Sequence, residues 1–290
     1  MGAPLAHGSG RVGVMVRPLI SVEELVELLA HPIAPAVLDV RWTLMGPPAK
    51  DAYLQSHIPG AAFVDLDSAL AAPPGEQGRH PLPDPVAAAA ALRDAGVDIE
   101  RPVVVYDAKD SSASARAWWI LRWLGHEDVR VLDGGFAAWT RAELPVAEGV
   151  HFIAQGDFVG LPGAMPIMTM EEAAVVVESG TVLIDARTAE RYRGESEPID
   201  PVAGHIPGAL SLPTASHVDP DGHFLPAAVL ADQFERAGVT GEAPIAAYCG
   251  SGVTACHTLL ALEVAGHRGA LFPESWSGWI TDPDRPVATA

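Results

Sequence analysis

Apolar positions along the chain fall into two alternating patterns. Short runs with little polar alternation, bounded by Pro or Gly, read as strands buried on both faces: Ala36–Val40, Val103–Tyr106, Val129–Leu132, Val182–Asp185 and Ile245–Tyr248. Between them, a spacing near 3.6 residues predicts helices over Ser21–Ala30, Pro85–Ala95, Ala113–Leu124, Met170–Ser179, Ala227–Ala237 and Val253–Ala265. Two of these open with a capping box, Ser21 with Glu24 and Thr169 with Glu172, in which a hydroxyl and a carboxylate satisfy the orphan amides of a helix start. Such alternation implies an α/β fold, an open and mostly parallel sheet with helices on both faces. In such sheets ligands sit at the carboxyl ends of the strands.

The pattern occurs twice. The Ser21 and Thr169 helix starts are 148 residues apart, Val37-Leu-Asp39-Val-Arg41 and Leu183-Ile-Asp185-Ala-Arg187 are 146 apart, and His57-Ile-Pro-Gly-Ala61 and His205-Ile-Pro-Gly-Ala209 are 148 apart. Pro102–Tyr106 returns as Pro244–Tyr248 after 142 residues, and Phe136/Trp139 as Trp276/Trp279 after 140. Five matches in one order imply two homologous domains, far longer than solenoid repeats. The boundary falls between Trp139 and Thr169, where Pro and Gly are frequent and periodicity is weak. The expected division is a first domain over 1–145, a linker over 146–166 and a second domain over 167–290.

Composition narrows the function classes. With 18 Lys+Arg against 37 Asp+Glu in 290 residues, the net charge is −19, which opposes sequence-independent binding to nucleic acid or to anionic membranes. Hydrophobic residues make up 49% and charged residues 19%, enough for a large core. No apolar run reaches the roughly 18 residues of a membrane span, and the first twenty residues contain no continuous apolar segment of a signal peptide. Two cysteines imply no disulfide framework and a reducing compartment, so a cytoplasmic location is expected. The 11 histidines show no metal-ligand spacing, so neither metal nor cofactor is expected.

The chemistry concentrates after the strand ending at Tyr248. Cys249-Gly250-Ser251-Gly252-Val253-Thr254-Ala255 joins a buried strand to a helix start. The glycines let backbone amides turn inward into a small bowl, and the helix N-terminus adds positive potential. Both favour a nucleophilic thiolate.

These features, with Asp39-x-Arg41-Trp42, Ala117-Trp118-Trp119, Leu132-Asp-Gly-Gly135, Arg191-Tyr-Arg-Gly194 and Ser275-Trp276, resemble the two-domain rhodanese-type sulfurtransferases over essentially the whole chain. The uncharged loop is most similar to their 3-mercaptopyruvate branch. The resemblance implies that Cys249 takes a sulfane sulfur from a small anionic donor, 3-mercaptopyruvate or thiosulfate, as a persulfide. A thiol acceptor, such as a thioredoxin-like protein, or cyanide then removes it. The amides of Gly250, Gly252, Val253 and Thr254 would hold the persulfide. Ser251 would hydrogen-bond the reacting sulfur or relay a proton. Arg187 and Arg191 look like the family's substrate-binding arginines, with Arg193 solvated. His57 is the candidate histidine of a relay with Ser251, with Asp51 as a weak candidate acid. His205 reads as structural, and Cys256 as a small buried residue. Asp107 stands where the second domain has Cys249, and Ala108–Ser112 lacks the glycine cradle, so the first domain is expected to be catalytically silent.

Two alternatives stand beside this reading. One is a sulfur-carrying or binding module without catalysis. The other is a phosphatase on the same fold, which would need an arginine closing the cysteine loop, where this chain has Thr254-Ala255-Cys256.

Overall fold

The structure, a computed structural model, describes residues 17–240 and 243–289. The expectation that no signal peptide opens the chain lies, as far as residue 16, outside them.

Among the described residues, nine strands form two sheets whose strand pairs are all parallel. The first contains β1 (Leu19–Ile20), β2 (Ala36–Asp39), β3 (Ala62–Phe63), β4 (Val103–Tyr106) and β5 (Val129–Leu132), in the order β1-β5-β4-β2-β3. Around it stand α1 (Val22–Leu29), α2 (Ala49–Gln55), α3 (Leu66–Ala69), α4 (Pro85–Asp94), α5 (Ser112–Trp123) and α6 (Gly135–Arg141). The second sheet contains β6 (Val182–Asp185), β7 (Leu210–Ser211), β8 (Ile245–Tyr248) and β9 (Ala270–Leu271), in the order β7-β6-β8-β9. Its helices are α7 (Met170–Ala174), α8 (Val176–Ser179), α9 (Ala189–Arg193), α10 (Ala227–Arg236), α11 (Ala255–Val264) and α12 (Ser275–Trp279). The counterpart of β1 shrinks to one parallel bridge, Ile167 to Leu271.

Both capping boxes form: Ser21 and Thr169 accept from the N3 amides of Glu24 and Glu172, whose carboxylates reach back. The helix expected over Met170–Ser179 instead breaks at Val175, which has φ −111° and ψ 23°. Three consecutive valines, Val175 to Val177, crowd the preceding turn there and weaken the helix.

The duplication extends to individual hydrogen bonds. Asp39 pairs in register with Tyr106, and Asp185 with Tyr248. The Tyr106 and Tyr248 hydroxyls each accept an amide of the turn after the repeated histidine, from Ile58 and Ile206, both at 3.2 Å. The Nδ1 atoms of His57 and His205 stand 2.8 Å from the carbonyls of Tyr53 and Tyr192. Arg41 and Arg187 each fork onto the aspartate two residues earlier and onto a carbonyl, that of Ser56 or Gly204.

The outer face of each sheet has its own apolar cluster, whereas the inner faces share one. That shared core is crossed by α5 and α11, which pack on each other and are tied by an Arg122–Glu263 ion pair. Helix α11 has no polar stripe and is buried from Ala255 to Leu262, the pattern of a helix enclosed by protein. The loop before it therefore faces the junction between the two sheets.

Candidate active site

Cys249 follows β8 directly and is 1% exposed. The amide of Gly252 points at its sulfur, with N to Sγ of 3.1 Å, and its own amide donates to Ser275 Oγ at 3.1 Å. Gly252 has φ +79°, and a Cβ there would lie 2.6 Å from the Pro273 carbonyl oxygen, so only glycine fits this turn. The Gly252 carbonyl accepts from Cys256 Sγ at 3.3 Å, and burial pushes the Cys256 thiol up to about 12. Cys256 stays protonated and pins the loop from beneath.

Ser251 Oγ stands 2.7 Å from Nδ1 of His80, on the segment between α3 and α4. Nε2 of the same ring lies 3.4 Å from Asp67 Oδ1. That carboxylate also accepts from Trp42 Nε1 at 3.0 Å, and the Trp42 ring meets His80 edge-on at 5.3 Å. Burial pushes the His80 pKa down to about 4, against the pull of Asp67. The ring is therefore neutral near pH 7, with Nδ1 ready to accept the serine proton and Nε2–H turned to the carboxylate.

Above the loop lie two guanidinium groups. A Cβ on Gly250 would be 3.0 Å from Arg79 Nη2 and 3.5 Å from Arg191 Nη2, so the missing side chain is what lets both approach the backbone beside Cys249. Both are held by the buried Asp200, and Arg191 also by Glu197. Their side chains keep 23% and 13% exposure, so each retains a face toward solvent.

The profile of the rhodanese-like domain matches residues 21–142 and again 169–282. The chain belongs to the rhodanese family. It is 46% identical to the probable 3-mercaptopyruvate sulfurtransferase of Pseudomonas aeruginosa, over 93% of this chain and 98% of that one. It is 41% identical to the putative thiosulfate sulfurtransferase SseB of Mycobacterium tuberculosis, over 93% and 96%. The crystal structure of SseA from Escherichia coli, a 3-mercaptopyruvate sulfotransferase, superposes with a TM-score of 0.79 at 32% identity, covering 90% of this chain and 100% of that one. The protein is an enzyme of the sulfurtransferase class.

The loop of the first domain shows what the chain does with the same backbone in the absence of a cysteine. Asp107 follows β4 as Cys249 follows β8, and its carboxylate accepts the amides of Lys109, Ser111, Ala113 and Ser114 at 2.9 to 3.1 Å. A nest of amides therefore forms without glycine, with Ser111 at φ +62°, and the chain's own anion fills it. The loop has no glycine, as expected from the sequence, yet its amides still form a cradle, which the Asp107 carboxylate occupies.

Three expected candidates, His57, Asp51 and Arg187, are placed elsewhere. The histidine at Ser251 is His80; His57 bonds Tyr53 O through Nδ1, as His205 bonds Tyr192 O in the other copy, and turns Nε2 toward His151 at 3.4 Å. Asp51 lies on α2 and is not the acid at His80, which is Asp67. Arg187, with its side chain 1% exposed, spends its fork on Asp185, Glu197 and Gly204 O and lies over Trp276 at 4.6 Å. Arg41 makes the same fork in the domain without a cysteine, so these bonds belong to the fold. Arg193 pairs with Glu190 and Glu195 at the surface. Of the expected arginines, Arg191 alone is at the loop.

His80 and Arg79 escaped the sequence pattern because they lie in an irregular segment and reach the loop only across the domain junction. One signal was present: His80-x-Leu82-Pro83 returns as His223-x-Leu225-Pro226, 143 residues on. The two histidines are counterparts, each reaching into the other domain, His80 to Ser251 and His223 toward Asp133 at 3.5 Å.

Proposed function

We propose that the protein is a 3-mercaptopyruvate sulfurtransferase working through a Cys249 persulfide, with the second domain catalytic and the first supplying Asp67, Arg79 and His80. The observation that carries this reading is the Asp67–His80–Ser251 chain beside the sulfur. Cys249 thiolate attacks the donor's thiol sulfur, and the carbon–sulfur bond breaks with its electron pair passing to the methylene carbon. The donor's thiol proton passes through Ser251 Oγ to His80 Nδ1 and is returned to that carbon, giving pyruvate and the persulfide anion. Charge and atoms balance with one proton moved from sulfur to carbon, which is the work of a neutral histidine. Thiosulfate would release sulfite with no proton moved, and would have no use for the chain of bonds.

Arg79 and Arg191 fit the donor carboxylate, with Asp200 setting their spacing. The Gly252 amide, and those of Gly250, Val253 and Thr254, fit the negative charge on the persulfide. A thiol acceptor, such as a thioredoxin-like protein, or cyanide then takes the outer sulfur. Both cysteines are free, in keeping with a reducing compartment such as the cytoplasm. Among the described residues no helix is long and apolar enough to cross a membrane.

Turnover with each donor tests the reading. Ser251→Ala is expected to lower kcat/KM for 3-mercaptopyruvate by about 100-fold and to leave thiosulfate turnover within a few fold. Cys249→Ser is expected to abolish both, together with the one-sulfur mass gain after donor treatment. Equal losses for both donors in Ser251→Ala would remove the relay, and a persistent mass gain in Cys249→Ser would remove the nucleophile.

A further inference from the structure

Arg116 lies on α5 in the first domain and is completely buried. Among the described residues no carboxylate pairs with it. Its guanidinium donates to four backbone carbonyls, Nε to Leu70 O, Nη1 to Gly252 O, and Nη2 to both His80 O and Pro81 O, at 3.1 to 3.2 Å, with the Cys256 and Cys249 side chains near enough to favour its charge. A buried cation without a counter-ion is costly, and burial indeed pushes this guanidinium down from its ordinary pKa. A methionine or leucine would fill the same volume without that cost. The second domain has made the cheaper choice: by the spacing that pairs Tyr106 with Tyr248, Thr258 on α11 is the counterpart, and it is buried and uncharged.

The four carbonyls explain what the charge does. Leu70, His80 and Pro81 belong to the first domain, and Gly252 to the second. One of them is the carbonyl of the histidine of the proton relay, and another is the residue after its serine. A planar fork fixes the angle as well as the distance between the groups it bonds, which a single ammonium does not. Arg116 therefore joins the backbone under His80 to the backbone under Ser251, across the junction that their 2.7 Å contact has to span.

We infer that Arg116 is a positioning residue that assembles the Ser251–His80 contact across the two domains, by clamping the Gly252 carbonyl to the His80–Pro81 carbonyls. The inference rests on the relay proposed above. In this role Arg116 does not contact the donor; its fork holds backbone carbonyls, and its effect passes through Ser251.

The test is a double-mutant cycle between Arg116→Lys and Ser251→Ala, read as kcat and KM for 3-mercaptopyruvate. Lysine keeps the charge and loses the fork. Arg116→Lys is expected to lower kcat about 10- to 100-fold, the scale of a misplaced catalytic group, with KM changed less than about threefold. In the Ser251→Ala background the same substitution is expected to cost less than about threefold, because contacting residues that act as a unit are not additive. Cys249 alkylation by iodoacetamide in Arg116→Lys should stay within about twofold of the parent, showing an intact loop. Equal losses in both backgrounds, or a collapse of alkylation, would overturn the inference and make Arg116 a general support of the fold. Should Ser251→Ala itself keep parental turnover, the relay falls and this inference with it. A normal cost of Ser251→Ala combined with additivity removes only the role of Arg116.

Discussion

Nδ1 of His80 lies 2.7 Å from Oγ of Ser251, and the two residues, 171 positions apart, come from opposite halves of a duplicated chain. The contact completes at the domain junction a set of groups that neither half carries alone. His80→Gln is therefore expected to lower 3-mercaptopyruvate turnover by about 100-fold or more. His57→Gln should leave kcat within a few fold and cost about 1–2 kcal/mol of stability, since it removes a ring bonded to the Tyr53 carbonyl. Steady-state kinetics with a denaturant titration of each variant separates the two. An inactive but stable His57→Gln would return the relay to His57.

The arginines divide the same way. Arg191→Gln and Arg79→Gln are expected to raise KM for the anionic donor about tenfold each, as loss of one charge-assisted hydrogen bond. Arg187→Gln leaves the fully buried Asp185 without its partner and should cost about 3–5 kcal/mol, as should Arg41→Gln beside Asp39. Denaturation midpoints and KM values check both halves. A folded Arg187→Gln with normal stability and a raised KM would place the donor at Arg187.

Ser275 carries backbone strain beside Cys249. Its φ is +52°, a left-handed conformation costing a non-glycine residue roughly 1–2 kcal/mol. The corresponding position of the first domain is Gly135, with φ +56°. The serine hydroxyl accepts the Cys249 amide at 3.1 Å and donates to the Phe272 carbonyl at 3.0 Å, so the strain is spent on anchoring the cysteine. Ser275→Gly is expected to be about 1 kcal/mol more stable than Ser275→Ala, with kcat lowered similarly in both. Full activity in Ser275→Gly would mean that the hydroxyl does nothing for Cys249.

Acid stability follows from three buried imidazoles. Burial holds His80 and His217 at about 4 and His257 at about 3. In the unfolded chain each takes up its proton near pH 6.5, so between pH 6.5 and about 4 the unfolded state binds more protons. Each group then costs about 1.4 kcal/mol per pH unit as pH falls through that window. Asp107, pushed up to about 6 by burial against the pull of its amides, acts the other way over part of the window and offsets one of the three. Denaturant midpoints between pH 7 and pH 5 should fall steeply, and less so in His257→Leu, which cannot titrate. A flat profile would mean that these rings are protonated in the folded protein.

Much of this was legible in the sequence because it is local. The runs Val103–Tyr106 and Ile245–Tyr248 admit little but buried strand, and Cys249-Gly-Ser-Gly ahead of an apolar helix fixes the backbone setting of Cys249. The arginines show where locality ends. Arg187 and Arg191 stand four residues apart after the same strand, yet one is walled in by Asp185, Glu197 and Trp276 while the other keeps a free face over Gly250. Glu197 holds both, so the difference depends on Trp276 and the Gly204 carbonyl closing on Arg187 alone, which no spacing along the chain records. His80 and Arg79 were hidden for the complementary reason, since their partners lie in the other domain and their own segment has no periodicity.

The carboxylate of Asp107, tied by four amides in the loop of the first domain, gives that domain a permanent occupant. It amounts to a tethered anion that folding installs once, at the place where, on the proposed mechanism, the other loop gains one at each cycle. On that reading the first half preserves, in its ground state, a likeness of the charged state that the second half visits only in passing.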